Sequence, residues 1–407
     1  MGFSVSFLLY PIDRDWAEEV PGNYRQLVES FEYFAVVPNS RKLHQNARGY
    51  HHAIDEWWDD TIAQQLIWVF QRKSFDVLFV NYTFLAKAFE YAPPGVIKIL
   101  DTHDVFSGRR ELFEKFGVAP EFFYTSTEWE KIALDRADAV IAIKQSEAAA
   151  LAALTQRTVF SLPYWDDRSL ESRADLDELR VYDHDRPFRL GFLGAHNSIN
   201  IVNFRRFLSI LARYVALYNL PVEVIIAGNV CDGIAEDYPF AKRLGFLDDS
   251  AEFYRMVDAV VIPLEFSTGI KIKVAEALAW NVPVLATRDA FRAYHPTQHA
   301  PTLPALCEIL VAFAYGEIPP DELAWATRQA GIAAAAAQER GFAELQGWID
   351  TSLGPVVRAC RELLSCLNQP LQELGVDKVV ERAGALSRDD AYRPLAGHCA
   401  HQICQNG

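Results

Sequence analysis

Basic residues are in the minority in this 407-residue chain: 39 lysines and arginines stand against 54 aspartates and glutamates, a formal net charge of −15. That argues against nucleic acid as the main partner, because phosphate-backbone binding needs a basic excess. A small anion held by a few local lysines remains open. No run of about 18 apolar residues occurs, so no transmembrane helix is expected. The opening MGFSVSFLLYPIDRDW has an apolar run but neither a basic lead-in nor a cleavage site, so it reads as a first β-strand and not a signal peptide. The expectation is a cytoplasmic protein with at most peripheral contact at the inner face of a membrane. Six cysteines lack framework spacing: Cys231 and Cys307 stand alone, Cys360 and Cys366 share a helical stretch, and Cys399 and Cys404 lie near the end. Such usage fits reduced thiols. Also missing are a Gly-x-Gly-x-x-Gly loop, a P-loop and a nucleophile elbow.

What is present is a chain rich enough in apolar residues, 50%, to bury sizeable cores, and long enough for two α/β domains. Short apolar, β-branched runs recur at 3–10, 76–81, 96–101, 139–143, 157–162, 188–194, 222–228, 258–264 and 282–287. Near-continuous runs of this length predict strands buried on both faces, as in parallel sheets with helical crossovers. The charged stretch 171–187 breaks the pattern and marks a boundary. The reading is α/β: a Rossmann-like domain over 1–183, a second over 184–350, and a helical extension over 351–407, a candidate to pack back on the first domain. A cleft between two such domains is where a ligand sits, at the carboxyl ends of the strands. Residues 54–71 read as an aromatic-rich amphipathic helix, with Trp57 or Trp58 as an alternative sugar-stacking surface and Asp59–Asp60 as a solvated helix face. His398, Cys399, His401 and Cys404 contain enough soft ligands for zinc, but adjacent His and Cys suit a tetrahedron poorly, so no metal is expected.

The densest chemistry lies in residues 258–287, read as strand, loop, helix and strand. Ser267, Thr268 and Gly269 open the helix, the first two as caps. Free N–H groups and the helix dipole there form an anion site. Lys271 and Lys273 fall in the first turn, where cations cost stability unless an anion such as a diphosphate relieves them. Glu276, three residues after Lys273 and seven after Gly269, shares that face. Its carboxylate can accept hydrogen bonds from both hydroxyls of a ribose. The alternative is a surface helix with an i,i+3 ion pair.

Gly269, Lys271, Lys273, Glu276 and Ala277, followed by Pro283-Val284-Leu285-Ala286-Thr287, resemble the nucleotide-sugar signature of retaining glycosyltransferases of the GT-B fold, the group 1 or family-4-like class. The resemblance extends over about 75–355. Residues 188–208 resemble the first strand and loop of the family's donor domain, with Gly194 near the diphosphate and His196, Asn197 and Asn200 after it. Residues 243–264 resemble its base-reading run, with Gly245 and Phe246. Residues 96–110 resemble the acceptor-side strand with its His-Asp turn, His103-Asp104. The resemblance implies two Rossmann-like doubly wound domains facing across a cleft, with additional C-terminal helices. It implies donor contacts from Thr268, Gly269, Ile270, Lys271, Lys273 and Glu276. His103 would stand beside the donor sugar, with Lys273 on the diphosphate and Glu276 on the ribose. Two departures stand out. Position 268 is Thr where many members have a first glutamate, and Pro11-Ile12-Asp13-Arg14-Asp15-Trp16 replaces their glycine-rich loop.

Asn81, Tyr82, Asp104 and Arg109 are the acceptor-side candidates, with Arg109–Arg110 as a solvated pair the alternative. The implied reaction moves a sugar from a nucleoside-diphosphate sugar to the hydroxyl of a glycan, lipid-linked or protein-linked acceptor. It proceeds with retention, without metal or other cofactor, in surface polysaccharide or glycan synthesis. The rivals are a nucleotide-sugar epimerase or hydrolase and a non-catalytic sugar- or nucleotide-binding partner.

Overall fold

A computed structural model of the chain describes residues 4–12, 29–40, 49–165, 186–269, 271–288 and 299–354. The chain divides into two compact units, Met1–Leu345 and Gln346–Gly407. The expected boundary at 183/184, residues 13–16, Ile270, the cysteines and histidines after 354 and most of the C-terminal extension lie outside the described residues.

The first unit holds three parallel sheets. β1 (Ser6–Leu9) pairs with β2 (Tyr33–Val36). β3 (Val77–Asn81), β4 (Ile97–Asp101), β5 (Ala139–Ala142) and β6 (Thr158–Ser161) form a second sheet in that order. The third consists of β7 (Phe188–Leu193), β8 (Val222–Ala227), β9 (Ala241–Gly245), β10 (Ala259–Ile262), β11 (Val284–Thr287) and β12 (His299–Ala300). Its spatial order is β12-β11-β10-β7-β8-β9. Each of the nine predicted runs contains one of these strands. β2, β9 and β12, which lack a long β-branched run, were not separately predicted.

Helices cover both faces of the third sheet, and its side chains alternate accordingly. Leu190, Phe192, Val224, Ile226 and Val261 pack with α5 (Ser198–Tyr218) and α8 (Leu303–Ala314). Ile225, Val260, Ile262 and Val284 pack with α6 (Ser250–Met256), α7 (Ile272–Ala279) and the alanines of α9 (Pro320–Ser352). Around the second sheet, α1 (Asp60–Phe70), α3 (Thr127–Asp135) and α4 (Gln145–Ala152) enclose a core rich in aromatics, including Trp57, Trp58, Phe84 and Phe123.

Two expectations for 54–71 are corrected here. The helix starts at Asp60, because Asp59 caps it by accepting from the Thr61 amide. Asp59 is buried and also accepts from the Tyr10 hydroxyl and from Ser40, so it is no solvated face. Trp57 and Trp58 are 1% and 3% exposed, which removes them as a sugar-stacking surface. Among the described residues, no helix is long and apolar enough to cross a membrane.

Candidate active site

The order of strands in the six-stranded sheet reverses between β7 and β10, and a doubly wound sheet opens its ligand crevice at such a switch, beyond the carboxyl ends of the strands. Two loops meet there. The loop after β7 begins at Gly194, whose amide donates to the Ala227 carbonyl and whose carbonyl accepts from the Val230 amide, each at 3.0 Å. A Cβ added at Gly194 would stand 3.3 Å from Lys273 Nζ, so glycine lets the lysine head come against the loop backbone. The loop after β10 leads into α7.

Lys273 lies in the first turn of α7. Its ammonium donates to Asn200 Oδ1 at 2.5 Å and lies 4.5 Å from the centre of the Phe192 ring. Burial, and then the charge of Lys271, push its pKa down to about 7. Asn200 is itself fixed: its Nδ2 donates to the Ala195 carbonyl at 2.8 Å, and its amide donates to Asn197 Oδ1 at 2.9 Å. Asn197 is thus the N-cap of α5. One turn beyond Lys273, Glu276 Oε2 accepts from the Tyr254 hydroxyl at 2.9 Å. At the end of β9, the Gly245 carbonyl accepts from the Gly228 amide, while the space above Gly245 is open and Phe246 is 68% exposed. His196 is also exposed.

The helix start departs from expectation. α7 begins at Ile272, with Lys271 at the cap position and no side-chain cap. Ser267 and Thr268 lie upstream and do not cap it. The loop carbonyls are captured instead: Lys271 Nζ donates to the Thr268 and Gly269 carbonyls at 2.9 and 3.0 Å, folding the loop back on itself.

On the N-terminal side, parallel register sets Asn81 beside Asp101 at the carboxyl ends of β3 and β4. Tyr82 and His103 follow them, and both have left-handed backbone (φ 70° and 58°), which bulky residues adopt only when the surroundings impose it. Their rings stack at 4.4 Å. His103 Nε2 meets Asn81 Oδ1 at 2.9 Å and Asp101 Oδ2 at 3.5 Å. A proton on Nε2 suits both acceptors and leaves Nδ1 with its lone pair in the neutral ring. Burial raises the Asp101 carboxyl above its ordinary value, and nearby His103 opposes that rise. The following turn is fastened by Glu130, a fully buried residue of α3 whose carboxylate accepts from the Phe106 and Ser107 amides and the Ser107 hydroxyl.

Residues from the two sides meet directly. Asp104 Oδ1 accepts from the Gly269 amide at 2.9 Å, and Oδ2 accepts from Arg109 Nη1 at 2.6 Å. Lys144, which follows β5, donates to the Gly269 carbonyl at 3.1 Å and pairs with Glu147 at 2.6 Å. Glu147 is buried, and burial, against the pull of Lys144, raises its pKa to about 6. The Ser198 amide donates to Glu121 Oε2 at 3.3 Å. Phe266 stacks on Phe116 at 4.4 Å and meets the edge of Phe113 at 6.0 Å; Phe113 belongs to α2 (Arg109–Lys115). Arg109, its side chain 11% exposed, is therefore a partner of Asp104, and Arg110 pairs with Glu114, so the two arginines are not a solvated pair.

The fold thus brings Gly194, Asn200, Lys271, Lys273 and Glu276 to one crevice, and Asn81, Tyr82 and His103 to the strand ends of the other sheet. His196 and Phe246 have no hydrogen-bond or ring partner among the described residues. Tyr254, Lys144, Glu147, Glu130 and Glu121 were not foreseen. Lys144 had a signal, a cation placed directly after a strand's carboxyl end; Tyr254 had none.

Residues 187–300 match the family model of the glycosyl transferases group 1. No curated protein matches the chain in sequence. Among solved structures, Anabaena HepE in complex with UDP and glucose is similar over 84% of this chain and 91% of its own, with 14% identity and a TM-score of 0.52. The α,α-trehalose-phosphate synthase (UDP-forming) from Burkholderia xenovorans, in complex with glucose-6-phosphate, is similar over 72% of this chain and 78% of its own, with 12% identity and a TM-score of 0.52. At these identities the likeness speaks to fold. The architecture is GT-B, with parallel sheets in two Rossmann-like halves.

Proposed function

We propose that this protein transfers a glycosyl group from a nucleoside-diphosphate sugar to an acceptor hydroxyl, with retention of anomeric configuration and without a metal. One observation carries the reading: at the sheet's switch point a half-buried lysine stands against the backbone of a glycine loop, one turn from a carboxylate held by a tyrosine. A lysine pushed down to about 7 by burial and a like charge is a site suited to an anion. The donor diphosphate would meet Lys273, Lys271 and the loop at Gly194, with His196, Asn197, Thr268, Gly269 and Ile270 around it. Glu276 would accept from the ribose hydroxyls, and the base would lie by Gly245 and Phe246. His103, with Nδ1 as an acceptor, would stand beside the sugar. Asn81 and Tyr82 would contact the acceptor, with Asp104 and Arg109 behind them.

In this scheme the lysines and the N-terminus of α7 stabilise the charge that develops on the leaving diphosphate as the sugar becomes oxocarbenium-like. The leaving phosphate oxygen takes the acceptor proton on the same face, so no separate base is needed. Because HepE has been seen with UDP and with UDP-glucose, uracil is the base to try first. The test is thermal stabilisation of the protein by UDP, GDP and dTDP, with Glu276→Ala as control. Stabilisation by one nucleotide, lost in the variant, supports the donor site. Folded protein that none of them stabilises overturns it. Retention is then read from the anomeric proton coupling of the transfer product. The setting in surface polysaccharide or glycan synthesis is a family-level expectation.

A further inference from the structure

Gly269 has both of its peptide groups bound from the opposite half of the molecule. Its amide donates to Asp104 Oδ1 at 2.9 Å, and its carbonyl accepts from Lys144 Nζ at 3.1 Å. Each of these partners is held in turn. Asp104 is 7% exposed, and its other oxygen is taken by Arg109 at 2.6 Å; Lys144 pairs with buried Glu147 at 2.6 Å. Beside them Phe266, from the same loop, is buried against Phe116 and Phe113. The loop that leads into Lys271 and Lys273 is therefore secured by the N-terminal half at three points, two polar and one aromatic.

We propose that Asp104 and Lys144 are positioning residues that clamp the two peptide groups of Gly269, so that the donor loop takes its anion-binding shape only when the two halves are closed on each other. This rests on the donor-site reading above. The clamp acts at a distance from the sugar: a carboxylate and an ammonium orient the two peptide groups of Gly269, and that residue orients the lysines. Charge-assisted bonds suit the purpose because they are shorter and stronger than neutral ones. With the clamp undone, the halves still contain all donor ligands, but the loop must be ordered anew at each binding event, which weakens binding. Donor affinity and domain closure thereby become one equilibrium.

The experiment uses the full chain with Asp104→Ala, Lys144→Met, the double variant, and Lys144→Arg, which retains a donor for the carbonyl. In the absence of nucleotide, amide exchange of the peptide spanning 265–269 should quicken about tenfold or more in Asp104→Ala, as a bond to a charged group is lost. Thermal unfolding checks that the variants remain folded. In donor kinetics, KM should rise about tenfold in each single variant, and Lys144→Arg should recover part of it. A merely structural defect lowers kcat through lost folded protein and leaves KM where it was. The double variant should lose less than the product of the two single effects, because both act on one residue. Unchanged exchange at 265–269 overturns the clamp while leaving the donor site intact. So does an unchanged or tighter donor interaction, which would mean that Asp104 competes with the diphosphate for the Gly269 amide. Wild-type protein that binds no nucleotide, with exchange still sensitive to Asp104, overturns the donor reading and with it the clamp's role in binding.

Discussion

Two helices begin at the same crevice and are built in opposite ways. α5 has a conventional start: Asn197 caps it, accepting from the Asn200 amide at 2.9 Å, and no cation lies in its first turn. α7 has no side-chain cap, Lys271 at the cap position and Lys273 in its first turn. Both the uncapped amides and the lysines oppose helix stability, since the N-terminal dipole end favours negative charge. α5 is a start made for folding. α7 is, in the function proposed above, a start made for an anion, and its local cost is offset because the remainder of the helix, Val274 to Ala279, is anchored among buried residues.

The contrast can be broken most severely at Lys273. Lys273→Met should lower turnover about 10²- to 10³-fold, the scale of losing one transition-state charge partner, and initial rates at saturating donor measure it. The same variant should melt at a higher temperature than wild type when unliganded, by a few degrees. A variant that loses activity and stability together would instead mark Lys273 as a structural residue.

The next largest effect is on pH. Lys273 titrates near 7 in the folded protein, below the roughly 10.4 of an exposed lysine. Between those values the unfolded chain binds more protons than the native state, so this residue makes unliganded stability rise with pH across that window, and Lys273→Met should abolish the rise. Nucleotide binding should run the other way, since a diphosphate favours the charged lysine. Affinity for UDP should be level below about pH 7 and fall by up to about tenfold per unit above it. Calorimetric titrations between pH 6.5 and 8.5 read this directly.

Smaller effects sharpen the comparison. Glu276→Ala should weaken UDP about tenfold or more, and Tyr254→Phe, which removes only the hydroxyl that holds Glu276, several-fold. On the other helix, Asn197→Ala should destabilise the protein by about 1 kcal/mol, as loss of an N-cap does. Its UDP affinity should change less than that of Glu276→Ala. Denaturant midpoints and the same titrations separate the two.

Sequence and structure agree where one signal determines one outcome. Runs such as 222–228 and 258–264 are too apolar for anything but buried strands, and they are parallel strands in the sheet. β2 and β12 escaped notice because neither lies in a long β-branched run, and β12 has only two residues. The crevice was legible because Gly269, Lys271, Lys273 and Glu276 are close in sequence, and so was the His103-Asp104 turn. What was not legible is pairing across distance. Asp104 meets Gly269 over 165 positions and Tyr254 meets Glu276 over 22, and no spacing rule links such residues. The start of α7 was misread for a related reason: Ser267 and Thr268 look like caps locally, but the loop is folded back by Lys271 and Lys144 on its carbonyls, and the helix starts only at Ile272.

The long helix α9 follows the C-terminal sheet in the chain yet serves both halves. Ala330 and Ala334 lie in the same buried cluster as Trp165 and Leu278, and farther along a Cβ at Gly341 would fall 2.5 Å from the Ser161 carbonyl oxygen at the end of β6. Order along the chain is therefore not ownership in space. The N-terminal half cannot be transplanted to another C-terminal half as a self-contained cassette, because part of the surface that covers its last strand is encoded some 180 residues downstream. Recombination between relatives would have to exchange that helix together with the sheet it shields.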